Sequence, residues 1–250
     1  MESLESTYLA VLSLALLSGM TTLIGVSLAL YLGKHTRGIA FGIGFSAGIM
    51  LLVSIFELIP GALASTGHIT TFLAVSVGVL LVAMLHWISP HTHLVEERGV
   101  FDYTLVRGAY LVAFGLILHD VPEGFAMANA YVASPSMGLM VALAIALHNI
   151  PEEFAMAAPL VAVSKRRTLL IAAFLSGLAE PLGALVGLMV VHNYPLFNPI
   201  FMAFAAGAMI FISLHELLPM AQLYRQTRLF VAGSLLSVVI YLVMALLLPE

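Results

Sequence analysis

Apolar residues run along this chain in blocks of about 20, the length at which a helix rising 1.5 Å per residue crosses a hydrocarbon layer of about 30 Å. Eight such blocks are predicted as spans, near residues 8–32, 39–59, 70–88, 105–130, 137–161, 169–191, 200–221 and 229–248. The polar connections are short, and only 89–104 is long enough for a role of its own. All nine basic residues fall in or just beside alternate connections: Lys34 and Arg37; Arg98 and Arg107; Lys165, Arg166 and Arg167; Arg225 and Arg228. Connections 60–69, 131–136 and 192–199 hold no Lys or Arg. Positive charge is retained on the cytoplasmic side, so both termini are predicted to be extracytoplasmic.

Within the apolar blocks, one polar motif is written twice. His119-Asp120-Val121-Pro122-Glu123 recurs 29 residues later as His148-Asn149-Ile150-Pro151-Glu152. A second match joins Phe45–Pro60 to Phe204–Pro219, with eight identities in sixteen positions at a constant offset of 159. These segments would cross the membrane in opposite directions, the mark of an inverted-repeat transporter with its substrate site near the midplane.

Composition narrows the class. Residues AVILMFWYC make up 62% of the 250, and only 9% are Asp, Glu, Lys or Arg. That balance excludes an ordinary soluble domain and predicts one polytopic membrane bundle. Cysteine is absent, which removes disulfides, thiolate metal sites and thiol redox chemistry. The acidic start, Met1 to Glu5, runs into an apolar stretch too long for a signal h-region, so no cleaved targeting peptide is expected.

A charge at mid-bilayer costs roughly 2.5–3.5 kcal/mol on insertion scales. Seven acids nevertheless lie inside predicted spans: Glu57, Asp120, Glu123, Glu152, Glu153, Glu180 and Glu216. No Lys or Arg lies deep enough in a span to neutralise them, so the choice is between protonated, hydrogen-bonded carboxyls and bound cations. Residues four apart share a helix face, which stacks His119 with Glu123 and His148 with Glu152. Each motif proline removes an N–H and frees the carbonyl four residues earlier, that of Leu118 or Leu147. The motif therefore predicts an imidazole, a carboxylate, a further oxygen ligand and a helix break. Glu180-Pro181, His215-Glu216 with Pro219, and Glu57 with Pro60 repeat the pairing of an acid with a proline. Identical spacing in two copies favours metal over neutral carboxyls. Asp120, Glu123, Glu152 and Glu180 would balance two dications. In that arrangement Glu123 and Glu152 bridge, His119 and His148 hold one ion, and Asp120 and Asn149 hold the other.

The doubled His-(Asp/Asn)-x-Pro-Glu, the Ser-Gly-Leu-Ala-Glu-Pro beginning at Ser176 and the His215-Glu216 pair resemble the ZIP (Zrt-/Irt-like) metal transporters, nearest their bacterial branch. The likeness covers nearly all of the chain. It implies an all-α integral membrane protein of eight helices in a 3+2+3 inverted-repeat arrangement, set in the cell membrane. It also implies uptake of Zn²⁺ by default, with Fe²⁺, Mn²⁺, Co²⁺ and Cd²⁺ as further candidates. The metal would sit in a site of one or two ions between helices four, five and six. His119, Asp120, Glu123, His148, Asn149, Glu152 and Glu180 match the family's metal-holding positions, and His215 and Glu216 match a relay toward the inner exit. The expected partners are divalent ions and the lipid bilayer, with no nucleic acid, and a homodimer is compatible with the resemblance. Two departures add negative charge, Asp120 where the family has Asn and Glu153 where it has Gly. Extra carboxylate favours harder ions such as Mn²⁺ or Fe²⁺.

Other polar residues carry lesser expectations. His91 and His93, beside Glu96 and Glu97, could buffer incoming metal or belong to an ordinary solvated loop. His86 and Trp87 need only an interfacial anchoring role, and His35 has no evident partner. Met127 and Met156 suit packing. Two other function classes compete. An intramembrane metalloprotease needs His-Glu-x-x-His, and Pro219 stands where the motif beginning at His215 requires the second histidine. A proton-conducting carrier could use the same buried carboxylates and histidines but has no need of matched ligand spacing. Without a Walker sequence, ATP drive is not expected.

Overall fold

A computed structural model describes residues 4–33, 35–88, 104–162 and 164–248, with side chains outside 88, 104–118 and 223. The helices are α1 (Leu4–Gly19), α2 (Thr21–Leu32), α3 (Thr36–Val53), α4 (Ile59–Thr66), α5 (His68–Ile88) and α6 (Thr104–Ala133). They continue with α7 (Pro135–Ala157), α8 (Arg166–Gly177), α9 (Ala179–Asn193), α10 (Asn198–Ile212), α11 (Leu218–Leu223) and α12 (Thr227–Leu247). No strand occurs among the described residues. Among the described residues, seven helical segments are long and apolar enough to cross a membrane: Leu4–Leu32, Thr36–Thr66, His68–Trp87, Pro135–Leu160, Arg166–Asn193, Pro195–Gln222 and Thr227–Leu247. Helix α6, 30 residues long, carries the first copy of the motif. Of the connection expected at 89–104, only Thr104 is described, as the first residue of α6, so His91 and His93 lie outside the described residues.

Apolar surface alone gives little net attraction between helices in lipid, so close backbone approach and hydrogen bonds must hold the bundle. Helix α3 packs along α12, α10 along α5, and α9 along α6. Helix α7 lies against α2, α3 and α6. Outward faces are studded with exposed Leu, Val, Ile and Phe, while the buried core is rich in Ala, Met and Ile. This inside-out distribution fits a hydrocarbon surround.

The helix breaks fall elsewhere than expected. Helices α6 and α7 continue through Pro122 and Pro151. Each proline costs one ladder bond while the flanking turns keep theirs, and tight neighbours hold the helix together. Breaks occur instead at Met20, between α1 and α2, and at Leu178, between α8 and α9. The two breaks meet. A Cβ on Gly19 would lie 2.1 Å from the Gly177 carbonyl oxygen, and one on Gly177 would lie 2.3 Å from that of Gly19. Only glycine permits this crossing.

The 159-residue offset reappears in the backbone. Ser54–Leu58 and Ser213–Leu217 are both π-helical turns. In the first, the Ile59 N–H reaches back to the Ser54 carbonyl; in the second, that of Leu218 reaches the Ser213 carbonyl. The Ser54 hydroxyl donates to the Met50 carbonyl at 2.7 Å, and the Ser213 hydroxyl to that of Met209 at 2.8 Å. Such back-bonding loosens a helix, and the proline that follows each turn completes the change of pitch. Helices α5 and α12 share a length of 21 residues and the same offset at both ends. His35 has a local role: it caps α3 by accepting the Gly38 N–H on Nδ1 at 3.1 Å.

Candidate metal centre

Helices α6, α7, α8 and α9 converge on a polar centre in an otherwise apolar bundle. Gly124 and Gly183 let α6 and α9 touch, since a Cβ on Gly124 would lie 1.9 Å from the Glu180 carbonyl oxygen and one on Gly183 2.1 Å from that of Val121. The contact sets Glu180 beside the motif of α6. On the far side of α7, Ser46 of α3 donates to the His148 carbonyl at 2.8 Å. His119, Asp120, Glu123, His148, Asn149, Glu152, Glu153 and Glu180 are each at most 4% exposed.

Three of the expected ligands come together. One donor atom each from Glu123, His148 and Glu152 lies within 4.8 Å of the others, and all three residues are buried. The Nε2 of His148 is 3.2 Å from Glu123 Oε1 and 3.9 Å from Glu152 Oε2. Its Nδ1 is 3.0 Å from the Ala144 carbonyl. A carbonyl only accepts, so Nδ1 carries the proton and Nε2 faces the two carboxylates with its lone pair or a second proton. Donors around a tetrahedral Zn²⁺ at about 2.0–2.1 Å stand about 3.3–3.4 Å apart, between the two separations seen here.

The other expected ligands form two further groups. Asp120 accepts from the Ser176 hydroxyl. Glu180 accepts from the Ser18 hydroxyl on one oxygen and from Asn149 Nδ2, at 2.7 Å, on the other. This group offers oxygen donors and no imidazole. Glu153 is also buried, with one carboxylate oxygen lacking a hydrogen-bond partner. In the third group, His119 Nε2 lies 3.1 Å from Glu216 Oε2.

Glu216 also meets His86 Nδ1, at 3.1 Å on its other oxygen. The His215 ring stacks on Phe211 with centroids 4.7 Å apart and stands edge-on to His86 at 5.2 Å. His86 is therefore part of a polar chain from His119 through Glu216, and its expected role as an interfacial anchor is too small. Glu57, the offset counterpart of Glu216, accepts from the Tyr241 hydroxyl at 2.6 Å and lines a separate cavity with Ser134, Ser136 and Met137. Arg37, Lys165, Arg166, Arg167, Arg225 and Arg228 are exposed and contribute nothing to the centre.

Sequence reasoning passed over Ser18, met Ser46 only inside the offset match, and gave His86 no more than an anchoring role. Nothing in their spacing marks them, because their partners lie 162, 102 and 130 residues away. Ser176 stands inside a motif already singled out, although its bond to Asp120 was not foreseen.

The family of ZIP zinc transporters matches this chain over residues 91–248. Among similar proteins, a zinc transporter of Streptococcus mutans, ZupT, is 37% identical over 254 residues, covering 94% of this chain and 96% of its own. The ZupT of Chlorobium limicola is 37% identical over 97% of this chain and 99% of its own, and that of Corynebacterium aurimucosum 38% over 84% and 86%. By extent of match and by identity alike, this chain belongs to the ZIP zinc transporter family.

Proposed function

We propose that this protein is a secondary transporter that takes divalent transition-metal ions into the cytoplasm, with Zn²⁺ as the default cargo. Its family is one of transporters rather than enzymes. The observation that carries the reading is the buried trio of Glu123, His148 and Glu152, whose donor atoms lie within 4.8 Å of one another while the described Lys and Arg side chains outside it are exposed. Buried charges need a partner, and a passing dication is the partner available here.

In this reading His148, Glu123 and Glu152 hold the first ion, with imidazole and carboxylate donors that suit zinc. Asp120, Asn149 and Glu180 offer a second, oxygen-rich position, and Glu123 and Glu152 bridge. His119 sides with Glu216 in the present arrangement, which supports a path in which an ion leaves the first position through His119, Glu216, His86 and His215 toward the inner exit. Extra carboxylates at Asp120 and Glu153 extend the cargo toward Mn²⁺ and Fe²⁺, with Co²⁺ and Cd²⁺ as zinc-like alternatives.

The framework we infer is a single membrane domain with a 3+2+3 inverted repeat, in which α1–α5 precede α6 and α7 in the chain, α8–α12 follow them, and the two outer sets pack against each other. Matching π-turns, matching ends of α5 and α12, and the meeting of the two broken spans at Gly19 and Gly177 support it. The distribution of Lys and Arg supports extracytoplasmic termini.

Reconstituted vesicles test the proposal. Wild-type protein should carry Zn²⁺ down its gradient without cleaving a reporter peptide, and folded Glu152→Ala should not. Vesicles that change internal pH but admit no metal would favour a proton path instead.

A further inference from the structure

Away from the buried centre, the first two turns of α8 carry a cleft with chemistry of its own. Arg166, Arg167, Leu170, Ile171 and Phe174 line a surface cavity of about 470 Å³. At 3.6 residues per turn they form two neighbouring stripes, Arg166–Leu170–Phe174 and Arg167–Ile171, and Leu175 continues the second. Each stripe has a guanidinium at one end and apolar side chains beneath it. The rise from Arg166 to Phe174 is about 12 Å. Ile171, Phe174 and Leu175 are about half exposed at 48%, 47% and 51%. Lys165, also exposed, adds a third cation. Among the described residues, no acid lines the cavity.

Two cations above an apolar wall have the layout of a glycerophospholipid, an anionic phosphate above acyl chains. A soluble anion would use the guanidiniums and leave the wall bare. A zwitterionic lipid would cover the wall but bring its own cation to the arginines. Arginine pairs with phosphate bidentately, and basic pockets on the cytoplasmic side of membrane proteins suit anionic headgroups. We propose that this cleft binds an anionic phospholipid of the inner leaflet, phosphatidylglycerol by class. Arg166 and Arg167 hold its phosphate, and an acyl chain lies along Leu170, Ile171 and Phe174.

The cleft is mechanically close to the centre. One residue before Phe174, the Ala173 carbonyl accepts from Thr22 at 3.0 Å, and two residues after it Ser176 donates to Asp120. A lipid seated along α8 steadies the helix that supplies the Asp120 donor, so anionic lipid raises the uptake rate. The site rests on the reading of the chain as membrane-embedded. Lipid retention is read without metal, so its failure leaves the transport reading standing.

The experiment is native mass spectrometry of the full chain with defined phosphatidylglycerol or phosphatidylcholine, repeated on the Arg166→Gln/Arg167→Gln double variant. Wild type should retain phosphatidylglycerol in preference to phosphatidylcholine. The double variant should lose roughly tenfold or more of that preference, the scale of two surface charges acting on an anionic headgroup. Uptake in vesicles of phosphatidylcholine alone should be the same for both proteins, which controls for folding. Equal retention by the variant would overturn the proposal. So would displacement of phosphatidylglycerol by millimolar inorganic phosphate, which would assign the arginines to a soluble anion. Phosphatidylglycerol should also stimulate uptake by wild type and not by the variant; equal stimulation of both would remove the link to α8.

Discussion

Alanine at Gly124 should weaken metal capture out of proportion to its effect on the fold. Gly124 lies one residue after Glu123 on α6, and a Cβ there would sit 1.9 Å from the Glu180 carbonyl oxygen of α9 and 2.8 Å from the Ala184 nitrogen. Both obstacles are backbone, so no side-chain rotation can clear them. A carbon–oxygen contact relaxes at about 3.3 Å, so α6 and α9 must part by about 1.4 Å. Metal–ligand distances tolerate about 0.2 Å, and the displacement separates Asp120 and Glu123 from Glu180. Overpacking of this kind costs about 1–3 kcal/mol of stability, whereas displaced ligand supports cost about 10- to 100-fold in metal affinity. Zinc uptake into vesicles as a function of concentration reads the two effects apart. Gly124→Ala should raise KM at least about tenfold per folded molecule. The matched control is Gly233→Ala, whose Cβ would lie 2.0 Å from the Phe41 carbonyl oxygen, between α12 and α3. It should lower thermal stability by a similar amount and leave KM near wild type. A folded Gly124→Ala protein with wild-type KM would refute the idea that contact between α6 and α9 sets the ligand geometry.

Three further variants probe different parts of the centre. His148→Ala removes the one imidazole of the trio and should abolish Zn²⁺ uptake while leaving a folded protein, checked by size-exclusion profile and surface amount. Asp120→Asn combined with Glu153→Gly withdraws two carboxylates and should shift a competition assay toward Zn²⁺ and away from Mn²⁺ and Fe²⁺; an unchanged rank order would contradict the hard-ligand reasoning. His86→Ala frees one oxygen of Glu216, which His86 meets at 3.1 Å, and leaves the trio untouched. It should slow the maximal rate severalfold with KM within about twofold of wild type, and a large change in KM would argue against a role confined to release.

Local periodicity is where the sequence was readable. Stacking of His148 with Glu152 follows from four-residue spacing on a helix that continues through the motif, and the structure keeps these two beside Glu123. The offset match was legible for the same reason: Ser54, Glu57 and Pro60 recur as Ser213, Glu216 and Pro219 in one register, and both copies fold into a π-turn. A proline read alone was misleading. It reports the loss of one donor and says nothing of the packing that holds a helix together across that loss, so breaks were expected at Pro122 and Pro151 and fell at Met20 and Leu178.

What escaped the sequence is what depends on contacts between distant segments. His119 shares a helix face with Glu123, yet its Nε2 is drawn to Glu216, 97 positions along the chain. Spacing identifies which residues share a stripe but not which neighbouring helix supplies the stronger partner. Ser18 and Ser176 show why such partners matter. Ser18 is an unremarked serine in an apolar run and Ser176 only the first residue of a quoted motif, yet each donates to a buried acid. A buried carboxylate satisfied by hydroxyl and amide donors carries its charge at lower cost than a bare one, without the fixed cation that would compete with cargo. An arginine in place of Ser18 would satisfy Glu180 more strongly and hold it permanently. The described basic side chains instead lie at the surface, with neutral donors around the acids, which on the proposed reading leaves the remaining charge for a mobile ion to balance. This choice of donors, more than the acids themselves, separates a transport centre from a structural ion pair.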